Sequence, residues 1–211
     1  MRPERRVIMT NYERMKNGLL YSCLDPEILN EQNPVKDRIL AFNKAGSPEE
    51  RALLLKEMFA ECGEGCYIEA PFYANWGGYH VHFGNDIYAN FNLTLVDDGH
   101  IYVGDHVMIG PNVTISTAAH PINPELRKLQ YQYNRDVYID ENAWIGAGVL
   151  IMPGVHIGEN SVIGAGSVVT RDIPANVVAA GVPCRVMRPI DERDDLYYDR
   201  DKVIDIPIPG K

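Results

Sequence analysis

The stretch IDENAWIGAGVLIMPGVHIGENSVIGAGSVV, residues 139–169, places an aliphatic residue at every sixth position: Ile139, Ile145, Ile151, Ile157, Ile163 and Val169. Small or β-branched residues stand four positions after an aliphatic one, at Ala143, Val149, Val155, Ser161 and Ser167. A period of six matches neither the roughly 3.6-residue period of an α-helix nor the alternation of an ordinary strand. It is typical of short strands joined by tight turns, with every aliphatic side chain pointing inward.

The same rhythm extends towards the N-terminus in two further phases: Val103-Gly104, Ile109-Gly110 and Ile115, and before them Phe83-Gly84, Ala89 and Leu95. The phase slips by two residues near Asp97-Asp98-Gly99. Three six-residue units make one triangular coil, and stacked coils bury a continuous aliphatic column. The sequence therefore predicts a mainly β protein, a left-handed parallel β-helix of hexapeptide repeats over residues 66–188. A β-sandwich with frequent glycine turns is the alternative, but its strands would not keep a six-residue phase for so long.

Residues 1–65 lack this rhythm and are predicted to form a small N-terminal helical region. Thr10-Asn11-Tyr12-Glu13 fits a capping box, and Gly18 ends that short helix. Ser47-Pro48-Glu49-Glu50 starts a second helix with a cap and a proline at the first helical position. Another helix is predicted between Pro34 and Lys44. The residues expected to face a core are Ile39, Leu40, Phe42, Leu53, Leu54, Met58 and Phe59.

One segment interrupts the repeat and another follows it. Residues 116–138 are polar and carry two prolines, Arg127, Lys128 and three tyrosines. Insertions of this kind project from one side of a solenoid and often carry function, so a protruding loop is expected here. Residues 189–211 form an acidic C-terminal tail, which is expected to be a solvated cap or a subunit clasp rather than a binding site.

The composition narrows the classes of function. The net charge of −9 argues against nucleic acid as a partner, because neutralising phosphates needs a surplus of Lys and Arg. It also disfavours an anionic membrane surface. No long apolar run occurs and no signal-like stretch follows Met1, so a cytoplasmic location is expected. Cys62 and Cys66 lack a second pair with ligand spacing, so no metal is expected and the four cysteines are interpreted as free thiols: Cys23, Cys62, Cys66 and Cys184.

Histidine suits acid–base chemistry near neutral pH, and one of the six histidines stands apart. His120 lies in the loop, before Pro121, whereas the other five fall within the repeat: His80, His82, His100, His106 and His156. Loop histidines are more often simply exposed, so the placement alone leaves that interpretation open. His80 and His82 suit a metal alternative, because alternate residues of a strand face the same way and both rings can ligate one ion. That alternative would make the protein a hydratase.

Polar residues are also dense before the phase slip. Asn90 and Asn92 are candidates either for ladders between coils or for amides that contact a ligand or an oxyanion. Asp97 and Asp98 suit either a sugar hydroxyl or the turn that follows them. Three arginines near the end of the repeat are either surface charges or a local anion site: Arg171, Arg185 and Arg188.

Four motifs occur together in this chain: the hexad run, Tyr88-Ala89-Asn90-Phe91-Asn92, His120-Pro121 with Glu125-Leu126-Arg127-Lys128, and Ala179-Ala180-Gly181-Val182-Pro183-Cys184-Arg185-Val186. Together they closely resemble the bacterial galactoside and maltose O-acetyltransferases, and the likeness covers nearly the whole chain. Hexapeptide repeats alone are a weak indication of function, because transferases and non-transferases share them. The other three motifs are much more specific.

The resemblance implies an acetyl-CoA-dependent O-acetyltransferase that acts on a small sugar of galactoside, maltose or glucose type. It implies a homotrimer with active sites in clefts between adjacent β-helices, where the loop of one subunit reaches its neighbour. His120 would be the catalytic base, taking the proton from the sugar hydroxyl in a direct transfer without an acyl-enzyme. Asn90 would contact the acceptor and the acetyl group, and Asp98 would bind the sugar.

The resemblance also assigns residues to the acetyl-CoA site: Trp144 as a cleft wall, Ala147 through its backbone N–H, and Ala165, Thr170, Arg171, Arg185 and Arg188 along the channel. Two positions depart from the family pattern, because Asn75 replaces an acceptor-pocket serine and Cys23 replaces an aspartate, with Asp25 nearby. These departures leave the acceptor open. An antibiotic, serine or an amino sugar is the alternative acceptor, and a non-enzymatic scaffold is the remaining alternative.

Overall fold

A computed structural model of the chain describes residues 9–207, so the outer ends of the predicted helical region 1–65 and tail 189–211 lie outside the described residues. It confirms a mainly β fold of stacked parallel coils. The helices are α1 (Asn11–Lys16), α2 (Pro26–Lys44), α3 (Pro48–Met58), α4 (Pro124–Lys128) and α5 (Glu192–Leu196). The predicted caps of α1 and α3 are confirmed, because the Thr10 and Ser47 hydroxyls accept from the N–H groups of Glu13 and Glu50.

Helix α2 begins eight residues earlier than predicted, at Pro26 instead of Pro34. Asp25 caps it by accepting from the Glu27 N–H, and Pro26 takes the first helical position, where its missing N–H costs nothing. Pro34 lies inside the helix.

Two leucines of α2 and α3 that were predicted to face the core are exposed instead. Ile39 and Phe42 are buried as predicted, but Leu40 is 57% exposed. Leu53 is 66% exposed, and Leu55 takes its place in the core. Because successive helical residues point about 100° apart, a leucine next to a buried position turns away from the core.

The strands are short, and most pair in parallel. In chain order they are β1 (Tyr21–Ser22), β2 (Glu61–Cys62), β3 (Tyr67–Ile68), β4 (Phe72–Ala74), β5 (Val81–Phe83), β6 (Tyr88–Ala89), β7 (Leu93–Val96), β8 (Ile101–Val103), β9 (Met108–Ile109), β10 (Thr114–Ser116), β11 (Ala118–Ala119), β12 (Tyr131–Asn134), β13 (Val137–Ile139), β14 (Trp144–Ile145), β15 (Leu150–Ile151), β16 (His156–Ile157), β17 (Val162–Ile163), β18 (Val168–Val169), β19 (Val177–Ala180), β20 (Arg185–Pro189), β21 (Tyr197–Asp199) and β22 (Lys202–Val203).

Three parallel sheets form the faces of a triangular column. Face 1 contains β2, β5, β8, β13 and β16; face 2 contains β3, β6, β9, β14, β17 and β19; face 3 contains β4, β7, β10, β15 and β18. The chain visits faces 1, 2 and 3 in turn, and the turns between them form three edges that we call corner 1–2, corner 2–3 and corner 3–1. The column begins at Glu61–Cys62, which pairs with β5.

The six-residue rhythm builds the core of this column. Its defining residues are each at most 2% exposed: Ile139, Ile145, Ile151, Ile157, Ile163 and Val169. Full burial of one such side chain stabilises the fold by about 1.5–3 kcal/mol. Gly146 shows how closely the coils approach, because a Cβ there would lie 2.7 Å from the Ala165 nitrogen of the next coil. A methyl group does not fit at that position.

The predicted loop leaves the column at corner 3–1, after β10. It contains β11, α4 and β12, and β12 pairs antiparallel with both β11 and β1 to make a small sheet in the order β1-β12-β11. Tyr21 is opposite Gln132 in this sheet, so the N-terminal segment is fastened to the loop. His120 directly follows β11.

The chain beyond the column is largely exposed. Strand β20 pairs antiparallel with β19 at the end of face 2, and α5 and the hairpin β21–β22 follow it. Between residues 9 and 207, no helix is long and apolar enough to span a lipid bilayer.

Candidate active site

Asp98 lies at corner 3–1 in the centre of a buried polar cluster. Its Oδ2 accepts from Asn75 Nδ2 at 2.8 Å, and its Oδ1 accepts from Gln132 Nε2 at 3.0 Å and Trp76 Nε1 at 3.4 Å. Asp98 is 7% exposed, and a carboxylate so buried needs such donors. A carboxylate has about four acceptor positions, so three donors leave room for one more. The structure thus brings Asn75 and Asp98 together.

The small sheet completes this cluster. Gln132 Nε2 also donates to the Tyr21 hydroxyl, which donates to Asn134 Oδ1 at 3.2 Å. Asn134 Nδ2 donates to the Asp98 backbone carbonyl at 2.9 Å. Burial raises the pKa of Tyr21, so its hydroxyl is neutral and can donate. The cluster therefore joins the N-terminal segment, the loop and the column.

Cys23 lies at the end of β1, on the edge of the same cluster. Its thiol donates to the Gln130 carbonyl at 3.1 Å, and burial raises its pKa. At this position the protein therefore presents a neutral thiol, where the resemblance implies a carboxylate. The thiol makes this part of the pocket less polar than an aspartate would.

His120 is exposed, and the adjacent strand fixes its tautomer. Its Nδ1 lies 2.8 Å from the backbone carbonyl of Tyr131. A carbonyl only accepts, so Nδ1 carries the hydrogen and Nε2 keeps its lone pair. Within residues 9–207 no hydrogen bond involves Nε2. Tyr131 and Gln132 are consecutive in β12, so the strand that holds the His120 ring is also the strand that contacts Asp98.

Asp97 has a structural role in the turn. Its Oδ1 accepts from the Trp76 N–H at 2.7 Å and its Oδ2 from the Gly78 N–H at 2.9 Å. Its side chain is fully buried, and this burial raises the pKa of Asp97 to about 7. Of the two candidate carboxylates, Asp98 is the one that lines a cavity, which has a volume of about 290 Å³.

A second group of candidate residues lies along corner 2–3. The Asn90 N–H donates to Ile109 O, the Gly110 N–H to Ile145 O and the Gly146 N–H to Ile163 O, each at 2.8–2.9 Å. Asn90 and Gly146 are therefore two rungs apart on one edge, about 10 Å at the usual strand spacing. Two further candidates, Ala147 and Ala165, belong to the same edge, and Trp144 lies close to it in β14 on face 2.

Two N–H groups along corner 2–3 are free to bind a ligand. In the described part of the chain no hydrogen bond is donated by the Ala147 N–H, although the Ala147 carbonyl accepts from Gly166. Asn90 Oδ1 accepts from the Phe91 N–H at 2.8 Å, which leaves the Asn90 amide nitrogen as a donor. Asn92 instead donates to Asn112 at 3.0 Å and forms part of a ladder between coils. Trp144 is 52% exposed beside these groups.

The basic candidates are exposed and lie apart from these clusters. Thr170 and Arg171 are at corner 3–1 after β18, whereas Arg185 and Arg188 are in β20. Arg188 forms a bidentate pair with Asp194, at 2.6 and 2.7 Å, and this pairing lowers the pKa of Asp194 to about 2. A phosphate bound by Arg188 would have to compete with Asp194.

The chain is similar to known proteins. The family model described as bacterial transferase hexapeptide (six repeats) matches residues 136–171, and the maltose acetyltransferase hexapeptide capping motif matches residues 14–63. The chain is 56% identical to the galactoside O-acetyltransferase of Lactococcus lactis over 94% of its length and 97% of the relative's. It is 47% identical to the Escherichia coli galactoside O-acetyltransferase, over 90% of this chain and 94% of that one.

A solved structure of a galactoside acetyltransferase in complex with coenzyme A matches with a TM-score of 0.90 and 46% identity, covering 94% of this chain and all of that one. The chain belongs to the galactoside and maltose O-acetyltransferase family. The hexapeptide-repeat acetyltransferase fold and the resemblance predicted from the sequence are thereby confirmed.

Within one chain, the two groups of this acetyltransferase lie on opposite edges of face 3. The cluster around Asp98 and the loop with His120 are at corner 3–1, whereas Asn90 and Ala147 are at corner 2–3. Strand β7, Leu93–Val96, crosses the face between them, about 13 Å at the usual rise per residue. One chain therefore does not bring His120 and the free N–H groups together.

The metal alternative finds no support in the described region. The strand covers Val81–Phe83, so His82 projects outward, while His80 is buried and its Nδ1 donates to the Asp97 carbonyl at 2.7 Å. His82 contacts His100 at 2.9 Å and Glu61 at 3.0 Å. Residues 9–207 contain no group of three or more side chains arranged to hold a metal ion.

Sequence reasoning missed Gln132, Tyr21 and Trp76. Tyr21 and Gln132 are separated by 111 positions, and no local pattern relates them. The loop sequence YQYN at Tyr131–Asn134 does alternate ring and amide side chains, which is typical of a strand with one polar face. That alternation was the one available signal for β12.

Proposed function

We propose that this protein transfers the acetyl group of acetyl-CoA to a hydroxyl of a small sugar of the galactoside or maltose type. The observation that carries the proposal is the His120 ring, whose Nδ1–H is held by the Tyr131 carbonyl while Nε2 stays available. The galactoside and maltose relatives support the substrate class. Acetyl-CoA, as the second substrate, supplies the acetyl group as a thioester.

His120 acts as the general base. Its Nε2 takes the proton from the sugar hydroxyl as that oxygen attacks the thioester carbonyl, so no acyl-enzyme forms. The Tyr131 carbonyl accepts from Nδ1–H throughout and stabilises the protonated ring. General-base catalysis of this kind contributes about 10²–10⁴-fold to the rate.

Asp98 and Asn75 bind the acceptor. Three donors hold the Asp98 carboxylate rigidly and leave it one accepting position for a sugar hydroxyl. The amide of Asn75 stands beside it. With the Cys23 thiol at its edge, this pocket offers fewer charged groups than the family pattern, and a sugar with one apolar side suits it.

The free N–H groups of corner 2–3 stabilise the carbonyl oxygen that gains negative charge. The Ala147 backbone N–H and the Asn90 amide are the donors, and loss of one such donor costs about 2.7–4 kcal/mol in other enzymes. The exposed Trp144 indole packs along the pantetheine arm with Ala165 and Thr170. Arg171 and Arg185 bind its phosphates, and Arg188 does so by exchanging Asp194 for phosphate.

A homotrimer completes the site. Because His120 and Ala147 lie on opposite edges of face 3, corner 3–1 of one subunit has to meet corner 2–3 of the next. Each interface then contains one site, and a ring of three closes with both of these edges used in every subunit. We place this enzyme in the cytoplasm, where acetyl-CoA is available.

The test is acetyl transfer by the purified protein, with each candidate acceptor and acetyl-CoA, read by mass spectrometry of the product. Galactosides, maltose and glucose should gain one acetyl group. If an antibiotic, serine or an amino sugar is acetylated and no galactoside, maltose or glucose is, the proposed acceptor is wrong and the acetylated compound takes its place. Light scattering after size-exclusion chromatography measures the oligomer, and a fully active monomer would contradict the shared site.

A further inference from the structure

The first coil of the column differs from the others at its two inward positions beside corner 1–2. Cys62 and Cys66 occupy the positions that later coils fill with apolar pairs: Phe83 and Ile87, Val103 and Val107, and Ile139 and Ala143. Both cysteines are free thiols. Inward residues on either side of a tight corner point towards each other, so the fold itself brings these two sulfurs together.

The two thiols line the same cavity and influence each other's ionisation, because Cys62 lowers the pKa of Cys66. In its thiol form Cys66 donates to the Gly84 carbonyl at 3.0 Å. Two free thiols on the two sides of one corner are the arrangement from which an intrachain disulfide forms.

The corner between them is tightly packed against the next coil. A Cβ on Gly63 would lie 2.3 Å from the Gly84 carbonyl oxygen, and a Cβ on Gly65 would lie 2.2 Å from Asp86 Oδ1. Gly65 also has a φ of +72°, a conformation that other residues adopt at a cost. Glycine at both positions therefore allows the close turn that separates the two cysteines by only three residues.

A cavity of about 560 Å³ gives access to the pair. It lies between α3 and the corner, and Ala52, Leu53, Lys56, Cys62, Cys66 and Tyr67 are among its lining residues. Leu53, which leaves the core in this structure, forms part of its wall. The cavity is far from His120 along the fold, because it belongs to the first coil and to corner 1–2.

We propose that Cys62 and Cys66 form an oxidisable dithiol site that reacts with hydroperoxides and closes an intrachain disulfide. Neither cysteine takes part in acetyl transfer, so the site is independent of the proposed function.

Cys66 is the attacking sulfur. The neighbouring Cys62 thiol lowers the pKa of Cys66 to about 7, whereas the interaction with Cys66 and partial burial raise the pKa of Cys62. The Cys66 thiolate attacks the terminal oxygen of the hydroperoxide, the O–O bond breaks and an alcohol or water leaves after taking up a proton. Cys62 then attacks the sulfenic sulfur, the S–O bond breaks and water leaves with the Cys62 proton. Two thiols and one hydroperoxide thus give one disulfide.

The other two cysteines serve as internal references. Burial raises the pKa of both Cys23 and Cys184, so their thiolate fractions are smaller and their reactions with peroxide slower. The full-length protein is reduced, desalted and treated with one equivalent of hydrogen peroxide. It is then alkylated in denaturant and analysed by intact mass and peptide mapping.

The expected result is a mass loss of about 2 Da before alkylation, a peptide with Cys62 linked to Cys66, and alkylated Cys23 and Cys184. Cys62→Ser should instead trap a sulfenic acid on Cys66, a gain of about 16 Da, and Cys184→Ser should still form the disulfide. Reduced Cys62 and Cys66 after treatment, separate over-oxidation of each, or linkage only between chains would each overturn the proposal. Peptide mapping of the unaltered protein shows whether the disulfide forms, even if the variants do not fold.

Discussion

Corner 2–3 and corner 3–1 border the same face of the column, yet they differ in almost every respect. Corner 2–3 repeats the same backbone pairing from coil to coil, as in the bonds from Asn112 to Phe91 and from Gly166 to Ala147. Corner 3–1 changes its length in successive coils and, at residues 117–136, extends into a loop with its own helix and strands. The regular edge offers a backbone N–H and the Asn90 amide, and the irregular edge offers the side chains around Asp98.

This difference follows from packing. At Gly110 and Gly146 of corner 2–3, a Cβ would lie 2.7 Å from the backbone of the next coil, so the backbone is fixed at these positions. Corner 3–1 has room for Asn75, Asp98 and the loop. An acyl transfer needs both kinds of group, a donor for the carbonyl oxygen and a pocket for the acceptor.

The largest expected effect concerns His120, the proposed base in the loop at corner 3–1. His120→Ala should lower kcat by about 10²–10⁴-fold, because no group replaces Nε2, and should leave the dissociation constant of acetyl-CoA nearly unchanged. Steady-state kinetics and calorimetry measure the two quantities. His156→Ala is the matched control, since His156 is an exposed histidine that pairs with Asp140 on face 1. Equal turnover in the two variants would remove His120 from the mechanism.

The second expected effect is a pH dependence of stability from Asp97. Its folded pKa of about 7 lies above the ordinary aspartate pKa of 3.8, so the folded state binds the proton more tightly than the unfolded state. This contribution is fully present below pH 3.8 and is lost as the pH rises through 7, by up to roughly 4 kcal/mol.

Urea unfolding between pH 4.5 and 7.5 measures this loss. Asp97→Asn keeps the shape of the side chain but does not titrate, so its free energy of unfolding should fall less over the same range. Identical slopes for the two proteins would show that Asp97 is ionised in the folded protein at the lower pH.

The third effect tests the regular edge with two neighbouring glycines. Gly146→Ala should lower the free energy of unfolding by about 3 kcal/mol, because its Cβ meets the backbone of the next coil 2.7 Å away. Gly148→Ala should cost about 1 kcal/mol, since its φ is +68° but no atom lies within 4 Å. Thermal unfolding compares them. A larger loss for Gly148→Ala would mean that conformation, not packing, sets the spacing of the coils.

The smallest effect concerns the acceptor pocket. Asp98→Asn replaces one accepting oxygen with an NH₂ group that faces a donor, and should raise the KM for the sugar about tenfold while leaving the KM for acetyl-CoA unchanged. Asp140→Asn, on face 1, serves as the control. A rise in the KM for acetyl-CoA alone would show that Asp98 contacts acetyl-CoA and not the sugar.

The sequence predicted the column because its signal is local and repeated. Each of Ile145, Ile151 and Ile157 predicts the next, so the rhythm identifies the core without any long-range information. Helix α2 shows where such reasoning fails, since the cap at Asp25 was overlooked in favour of a proline that the helix accommodates.

The candidate site was less predictable for the same reason. His120 and Asn90 were found through motifs, but the hydrogen bond to the Tyr131 carbonyl and the donors around Asp98 depend on contacts between distant segments. Gln132 contacts Tyr21 across 111 positions, and nothing in either segment indicates the other. Contacts between distant segments produce no periodic pattern in the sequence, so side chains that act through such contacts cannot be found from periodicity.

The three-stranded sheet fastens the loop to the N-terminal segment. Strand β12 pairs with β11 on one side and with β1 on the other, and its Tyr131 carbonyl holds the His120 ring. A version of the chain that begins after Ser22 would keep the residues of every coil, but one edge of β12 would be unpaired. Loss of β1 would thus act on the imidazole from a distance, through the strand that both contact.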